Sequence, residues 1–132
     1  MSNLDTIKSA WDAFQQGDVN GVLERYADDA RWDGWNAKDL PGGGRFEGKQ
    51  EIGKMLGQWG PDNFEEFRAT PDEFHEDGNV VIVLGHVEGK TKAGGSLAAP
   101  FVHINRLRDG KVVEVLALTD TAVLRDAVSG SS

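Results

Sequence analysis

The segment LAAPFVHINRLRDGKVVEVLAL, residues 97–118, decides the fold, because it places two β-strand patterns on either side of a tight turn. The turn is Arg108-Asp109-Gly110-Lys111, and an Asp-Gly pair favours the short turns that join antiparallel strands. The flanking segments, Leu97–Leu107 and Val112–Leu118, are rich in β-branched and aromatic residues, which are typical of strands. The segment therefore predicts the last hairpin of an antiparallel sheet.

Two more strands are predicted before this hairpin. Val80–Leu84 is a β-branched run that follows a turn at Asp77–Asn79, and a second turn at Gly94-Gly95 leads into the hairpin. Phe64–Phe74 is a weaker strand pattern, and its proline is typical of an edge or bulged strand. The second half of the chain thus predicts four consecutive strands.

The first half of the sequence has the period of helices. Apolar residues recur at intervals of three and four, which puts them on one helix face: Leu4, Ile7, Trp11 and Phe14. After Gly17, Asp18 is the expected N-cap of a second helix that ends at Asp28-Asp29. A short strand over residues 30–35 and a glycine-rich loop over 36–48 follow.

A third helix is predicted after the loop, since Ile52, Met55, Leu56 and Trp59 share one face and Pro61 is expected to end it. A short closing helix, capped by Thr119 or Asp120, is expected to run through Leu124 and Val128. Helices that precede a run of antiparallel strands predict an α+β fold. The 132 residues suit a single domain, 1–132, with a frayed tail at 129–132.

Composition narrows the classes of partner. The chain carries 14 Lys and Arg against 22 Asp and Glu, a net charge of −8, which disfavours binding to nucleic acid or to an anionic membrane. It has no cysteine, so disulfides and thiolate metal sites are excluded. The sequence shows no secretory signal and no apolar run long enough to cross a bilayer, so we expect a cytoplasmic location.

Five segments, in order and spacing over about residues 4–128, resemble the nuclear-transport-factor-two-like superfamily and its SnoaL-like or ketosteroid-isomerase-related subgroup. They are Gln16–Val19, Tyr26–Trp32, the F-x-G-x-x-x-I pattern of Phe46–Ile52, the hairpin Pro100–Val113 and the ending Leu118–Ala122. The resemblance implies a cone-like, curved, antiparallel or mixed sheet, with three N-terminal helices on its concave face and a short C-terminal helix. It also implies a pocket for a small molecule, and this fold hosts isomerases, cyclases, dehydratases, epoxide hydrolases and binding modules.

The catalytic positions of these relatives are mostly vacant in this sequence. The resemblance places the tyrosine of the steroid isomerases near Ala10, their general base at Gly34 and their protonated acid at Val102. The aspartate of the polyketide cyclases falls around Ala117, three residues before Asp120. Ketosteroid isomerisation is therefore not expected.

Four residues remain candidates for acid/base catalysis. Asp120 would act at the rim of an apolar cavity, where desolvation raises the pKa of a carboxyl group, or it would cap the closing helix. Asp33 would act if it faced inward between Trp32 and Trp35, although the isomerase register puts Trp32 on the pocket side. His86 and His103 are each either hydrogen-bonded structural residues or pocket donors, and the same register puts His103 on the outer face.

The expected ligand is a small apolar, ring-bearing molecule, and no cofactor is expected. The residues predicted to line its pocket lie on the helices and the central strands: Trp11, Phe14, Trp32, Met55, Trp59, Val102, Ile104 and Ala117. Aromatic residues at helical spacing are also typical of an ordinary core. No metal site is predicted, because no two histidines are spaced i, i+2 or i, i+4.

Two functions fit these features. The first is a cofactor-independent acid/base enzyme of the isomerase, cyclase, dehydratase or epoxide-hydrolase type. The second is a non-catalytic ligand-binding or dimerisation module of the same fold. In either case we expect a homodimer through the outer face of the sheet, on the apolar residues Phe101, Leu107, Leu116 and Leu118.

Overall fold

The computed structural model describes residues 2–130 and has an α+β fold, as the sequence predicts. Three helices come early, four of the five strand pairings are antiparallel, and a short helix closes the chain. The elements are α1 (Asn3–Gln15), α2 (Val19–Leu23), β1 (Tyr26–Asp33), β2 (Arg45–Glu47), α3 (Gly48–Asn63), β3 (Phe64–Asp77), β4 (Val80–Thr91), β5 (Ser96–Arg108), β6 (Lys111–Thr119) and α4 (Thr121–Ser129).

The strands form one sheet in the order β2-β1-β6-β5-β4-β3. β1 runs parallel to β6, and every other neighbouring pair is antiparallel, so the sheet is mixed. Three of the pairings contain register shifts, at β1, in β3 beside Pro71 and at the end of β5. Such irregularities bend strands, and they fit the curved, cone-like sheet whose concave face carries α1 and α3.

Helix boundaries depend on local capping. Ser2 caps α1 in a reciprocal capping box with Asp5, and the Asp18 side chain accepts from the Gly21 amide to cap α2. The predicted end of α2 at Asp28-Asp29 is wrong, because α2 stops at Leu23 and both aspartates lie in β1. α2 is little more than one turn long, so it ends before these two aspartates.

Two boundaries near the middle and the end of the chain also differ from expectation. Pro61 lies inside the last turn of α3 and does not end it, since the helix continues to Asn63. Ser129 belongs to α4, which ends on the left-handed Gly130, so a frayed tail from 129 is wrong. Residues 131 and 132 of that predicted tail lie outside the described residues.

The hydrogen-bond register decides which face of each strand looks inward. Val83, His103 and Ala117 lie side by side across β4, β5 and β6, and Val83 and Ala117 are fully buried. Because side chains alternate along a strand, Phe101 and Asn105 share the inner face with His103. The isomerase register is therefore wrong by one residue in β5.

This parity corrects two expectations about the outer face. Val102 and Ile104 lie on the outer face of β5, and Phe101 and Leu107 are buried in the core, each only 4% exposed. The outer surface of the three central strands is instead a two-by-three apolar patch. Its rows follow the strand register and consist of Leu84, Val102 and Leu118, then Ile82, Ile104 and Leu116.

Candidate functional site

An apolar cavity of about 110 Å³ lies between the concave face of the sheet and the helices. Its wall combines aromatic rings from α1, α3, β1 and β5 with aliphatic side chains from the core. Polar side chains are few, as in binding sites that take apolar molecules. Among the lining residues are Ala10, Trp11, Phe14, Tyr26, Trp32, Trp35, Met55, Leu56, Trp59, Phe67, Val87, Phe101, His103, Asn105 and Leu124.

His103 is the titratable group enclosed by this wall. Its ring centroid lies 4.9 Å from that of Phe101, 5.1 Å from that of Trp32 and 5.6 Å from that of Trp11. Burial among these rings lowers the pKa of His103 from its ordinary 6.5 to about 4, because the charged form loses its hydration. The imidazole keeps some accessible surface, as expected of a side chain that lines a cavity. At neutral pH it is uncharged.

Three further polar side chains reach the same wall. Tyr26 is buried, and desolvation raises the pKa of its phenol. Asn105 donates from Nδ2 to the carbonyl oxygen of Val81 at 3.1 Å. The Thr119 hydroxyl donates to the carbonyl oxygen of Pro100 at 2.9 Å. Because its pKa is raised, the Tyr26 phenol stays protonated, and therefore a neutral donor, over the whole physiological pH range.

Five of the eight predicted pocket residues lie in the cavity wall, namely Trp11, Phe14, Trp32, Met55 and Trp59. The other three do not. Val102 and Ile104 point to the outer face because of the strand parity described above. Ala117 is on the inner face but is fully buried beneath its neighbours and does not reach the cavity.

Three of the four predicted acid/base residues lie outside the cavity wall. Asp120 is exposed and caps α4, accepting from the Val123 amide at 3.1 Å. Asp33 is paired with two arginines on the outer face, at 2.7 Å from Arg45 Nε and 3.1 Å from Arg31 Nε. Each carboxylate therefore has a structural partner in place of a ligand.

His86 also lies outside, on the outer face of β4. Its Nδ1 is 2.7 Å from Asp72 Oδ2 and its Nε2 is 3.4 Å from Glu88 Oε1, with 42% of the side chain exposed. The hydrogen bond to Asp72 raises the pKa of this imidazole. The pKa values of His86 and His103 therefore shift in opposite directions. Of the two residues, only His103 faces the cavity.

The wall residues that sequence reasoning missed include Tyr26, Trp35, Phe101 and Asn105. Phe101 and Asn105 follow from His103 once the parity of β5 is known, and no pattern in the sequence fixes that parity. Tyr26 reads as the last apolar position of a helix, whereas it begins β1. Trp35 lies in the loop after β1, which carries no periodicity.

The loop after β1 closes one side of the cavity and separates it from a second, open recess. The indole Nε1 of Trp35 donates to the carbonyl oxygen of Pro41 at 2.9 Å, and Asp39 is paired with Arg125 of α4. Gly42, Met55 and Trp59 belong to the walls of both spaces. The open recess is also lined by Pro41 and Phe46 and by a set of polar residues, namely Arg45, Glu51, Lys54, Gln58, Asp62 and Asn63.

Neither a metal site nor a membrane-spanning helix is found among residues 2–130. No group of three or more His, Asp or Glu side chains in residues 2–130 is placed to hold a metal ion. None of the helices in that range is long and apolar enough to span a bilayer.

A mixed, cone-shaped sheet that encloses an apolar cavity under three helices defines the fold class of this α+β protein. The sequence model of the SnoaL-like domain matches residues 7–115, so the chain belongs to the SnoaL-like domain family. This bears out the family resemblance seen in the sequence. No functionally curated protein matches the sequence.

Solved structures agree with the family. An NTF2-like protein of unknown function from Burkholderia pseudomallei is 31% identical with a TM-score of 0.89, over 98% of this chain and 99% of that one. TerC, co-crystallised with polyporic acid, is 27% identical with a TM-score of 0.86, over 96% and 97% of the two chains. A SnoaL-like polyketide cyclase from Jannaschia shares the fold at 17% identity, with a TM-score of 0.81 over 96% and 91%.

Proposed function

We propose that the chain binds an apolar, ring-bearing small molecule in the inner cavity and acts on it by acid/base chemistry through His103. The observation that supports this proposal is the neutral imidazole enclosed by aromatic rings in the wall of an apolar cavity. A wall of this composition selects apolar rings, and His103 is the one titratable group on it besides Tyr26 among the described residues. TerC, a relative of similar size, was co-crystallised with polyporic acid, which makes that compound a first candidate ligand.

The neutral imidazole supplies a base without first losing a proton. It would take a proton from a carbon or oxygen atom of the ligand and return it to another atom of the same molecule or to a leaving oxygen. Because burial disfavours the imidazolium, the acquired proton is readily given up again. A ligand that develops negative charge next to the ring would stabilise the imidazolium while the charge lasts. Isomerisation, cyclisation and dehydration all fit this proton transfer.

The proposal is tested by ligand screening followed by a matched pair of variants. Polyporic acid, steroids, aromatic ketones, terpene epoxides and fatty acids are screened by thermal shift, where a hundredfold excess over Kd adds about 2.7 kcal/mol of stability. For a ligand that is turned over, His103→Gln should reduce kcat by about 10²- to 10⁴-fold. The control is His75→Gln, since the His75 side chain is 59% exposed and should leave kcat unchanged. Unchanged turnover in His103→Gln would refute the catalytic role.

The positions of the other three predicted acid/base residues favour a second function, non-catalytic ligand binding. Asp120, Asp33 and His86 are all engaged outside the cavity, which leaves His103 without a charged partner in the wall. Saturable binding with no turnover for any ligand class would select this alternative. The absence of any ligand across the screen would contradict both functions.

We also propose that the chain forms a homodimer through the outer apolar patch defined above. Leu116 and Leu118 are 37% and 45% exposed, and they are the exposed large apolar side chains of the described chain. Charged pairs flank the patch on both sides, Arg31 with Glu114 on one and His86 with Asp72 on the other. An apolar centre with a charged rim is the usual composition of a protein interface. This interface leaves the cavity free, because it uses the opposite face of the sheet.

A further inference from the structure

The indole N–H of Trp59 is the feature on which this inference depends. Its Nε1 is buried and has no hydrogen-bond partner among the described residues. Among the described residues, Arg25 Nε is the only other buried side-chain donor without a partner, and that guanidinium donates through Nη1 to the carbonyl oxygen of Gly21. Several further buried donors are satisfied. Trp35 Nε1 donates to Pro41, Asn105 Nδ2 donates to Val81, and the Thr91 hydroxyl donates to Ala127. Native proteins leave few such groups without an acceptor, so the Trp59 N–H requires an explanation.

The described residues around Trp59 offer its N–H no acceptor. The carbonyl oxygen of Pro41 is taken by Trp35, and that of Leu40 accepts from the Gly43 amide. The carbonyl oxygen of Gly42 points at Gly34, since a Cβ on Gly34 would collide with it. Each nearby backbone oxygen of the loop is therefore engaged or directed elsewhere.

Gly42 packs directly against the N–H. Its φ is +80°, and a Cβ on this residue would lie 2.6 Å from Trp59 Nε1 and from a ring carbon of Trp35. A side chain at position 42 would therefore press on the indole nitrogen. Trp59 and Gly42 both line the apolar inner cavity and the open recess, and the recess also carries charged side chains. The unpaired donor thus lies where an apolar ligand would have its polar end.

We propose that Trp59 Nε1–H is a specificity-determining donor that binds an oxygen acceptor of the ligand. This inference rests on the proposed binding of a small molecule in the inner cavity. The ligand class it defines is an apolar ring bearing a carbonyl, ether or hydroxyl oxygen, with the ring in the inner cavity and the oxygen at its boundary with the recess. Because Nε1 is covered, the Gly42 segment or the indole moves aside to admit the oxygen atom.

The test compares two single-ring probes of equal shape, acetophenone and α-methylstyrene, in which a C=CH₂ group replaces the C=O group. Their Kd values are measured by NMR titration of wild type, of Trp59→Phe and of Trp11→Phe. Trp11→Phe is the matched control, since it is the same change in the wall of the same cavity. The preference for the ketone over the alkene is compared between proteins, so that the hydration of each probe cancels.

We expect the preference of wild type for acetophenone to fall by about five- to tenfold in Trp59→Phe and to persist in Trp11→Phe, as for the loss of one neutral hydrogen bond. Incorporation of 3-benzothienylalanine at position 59 keeps the indole shape without the N–H and should give the same fall. In wild type, acetophenone should move the Trp59 indole proton signal downfield, and α-methylstyrene should not.

Three outcomes would overturn the inference. If both probes bind and Trp59→Phe leaves the preference unchanged, the N–H binds water or nothing, and the cavity proposal stands without it. If Trp11→Phe lowers the preference as much as Trp59→Phe does, the oxygen is not bound by Trp59. If neither probe binds wild type at millimolar concentration, the proposed binding of ring compounds fails, and this inference fails with it.

Discussion

Acidification should destabilise the protein through His103. The pKa of this imidazole is about 4 in the folded chain and 6.5 when it is exposed. Between those values the unfolded chain binds more protons than the folded chain, so the free energy of unfolding falls as the pH falls. At about 1.4 kcal/mol per pKa unit, the contribution lost between pH 7.5 and pH 4.5 is about 2–3 kcal/mol. The loss begins near pH 6.5 and is complete below pH 4.

The assay is urea denaturation of wild type and of His103→Gln at several pH values between 7.5 and 4.5. Carboxylates and the exposed histidines titrate in both proteins, so their effects cancel in the difference between the two. That difference should change by about 2–3 kcal/mol in favour of the variant as the pH falls. His86→Gln is the control and should not reproduce the change, because its imidazole is exposed and its pKa is raised. Parallel pH profiles for wild type and His103→Gln would refute the burial argument.

Two further predictions concern residues outside the cavity. Asp120→Ala should lower the free energy of unfolding by about 1 kcal/mol, since it removes the cap of α4, whereas Asp120→Asn should leave it nearly unchanged. Loss of turnover in Asp120→Asn with the fold intact would instead place Asp120 in catalysis. In the outer patch, Leu118→Lys should convert the proposed dimer to a monomer in light scattering at micromolar concentration. A wild-type monomer at that concentration would contradict the dimer, and Glu114→Gln on the same strand is the control for a merely altered charge.

The sequence predicts the elements of this fold better than it predicts the site. Apolar residues at helical spacing located α1 and α3, and the Asp109-Gly110 turn located the last hairpin, because these signals are local. The inward face of β5 is not a local property. Val102 and Ile104 are as apolar as the residues that line the cavity, so composition gives no reason to choose Phe101 and His103 instead. Only the hydrogen-bond register of β5 with β4 and β6 decides which of its faces points inward.

The contrast between local and non-local signals also explains why Asp120 and Asp33 were predicted as catalytic residues. Aspartate is favoured both at helix N-termini and in active sites, and Asp120 directly precedes a helix, where it caps the first turn. For Asp33, the partners Arg31 and Arg45 were visible in the sequence, but their convergence on one face required the pairing of β1 with β2. A charged residue beside tryptophans is thus a weak signal for a buried catalytic group.

The composition of the cavity wall restricts the charge of its ligand. Moving an ionised group into an apolar enclosure costs several kcal/mol unless a counter-charge meets it, and the wall lowers the pKa of His103 for that reason. A neutral imidazole and a neutral phenol offer no counter-charge inside. Any charge on the ligand would therefore lie in the open recess, where Arg45 and Lys54 stand beside Glu51 and Asp62. Ligand selection then depends on the length between the ring and the polar end, with Gly42 and Trp59 at the boundary.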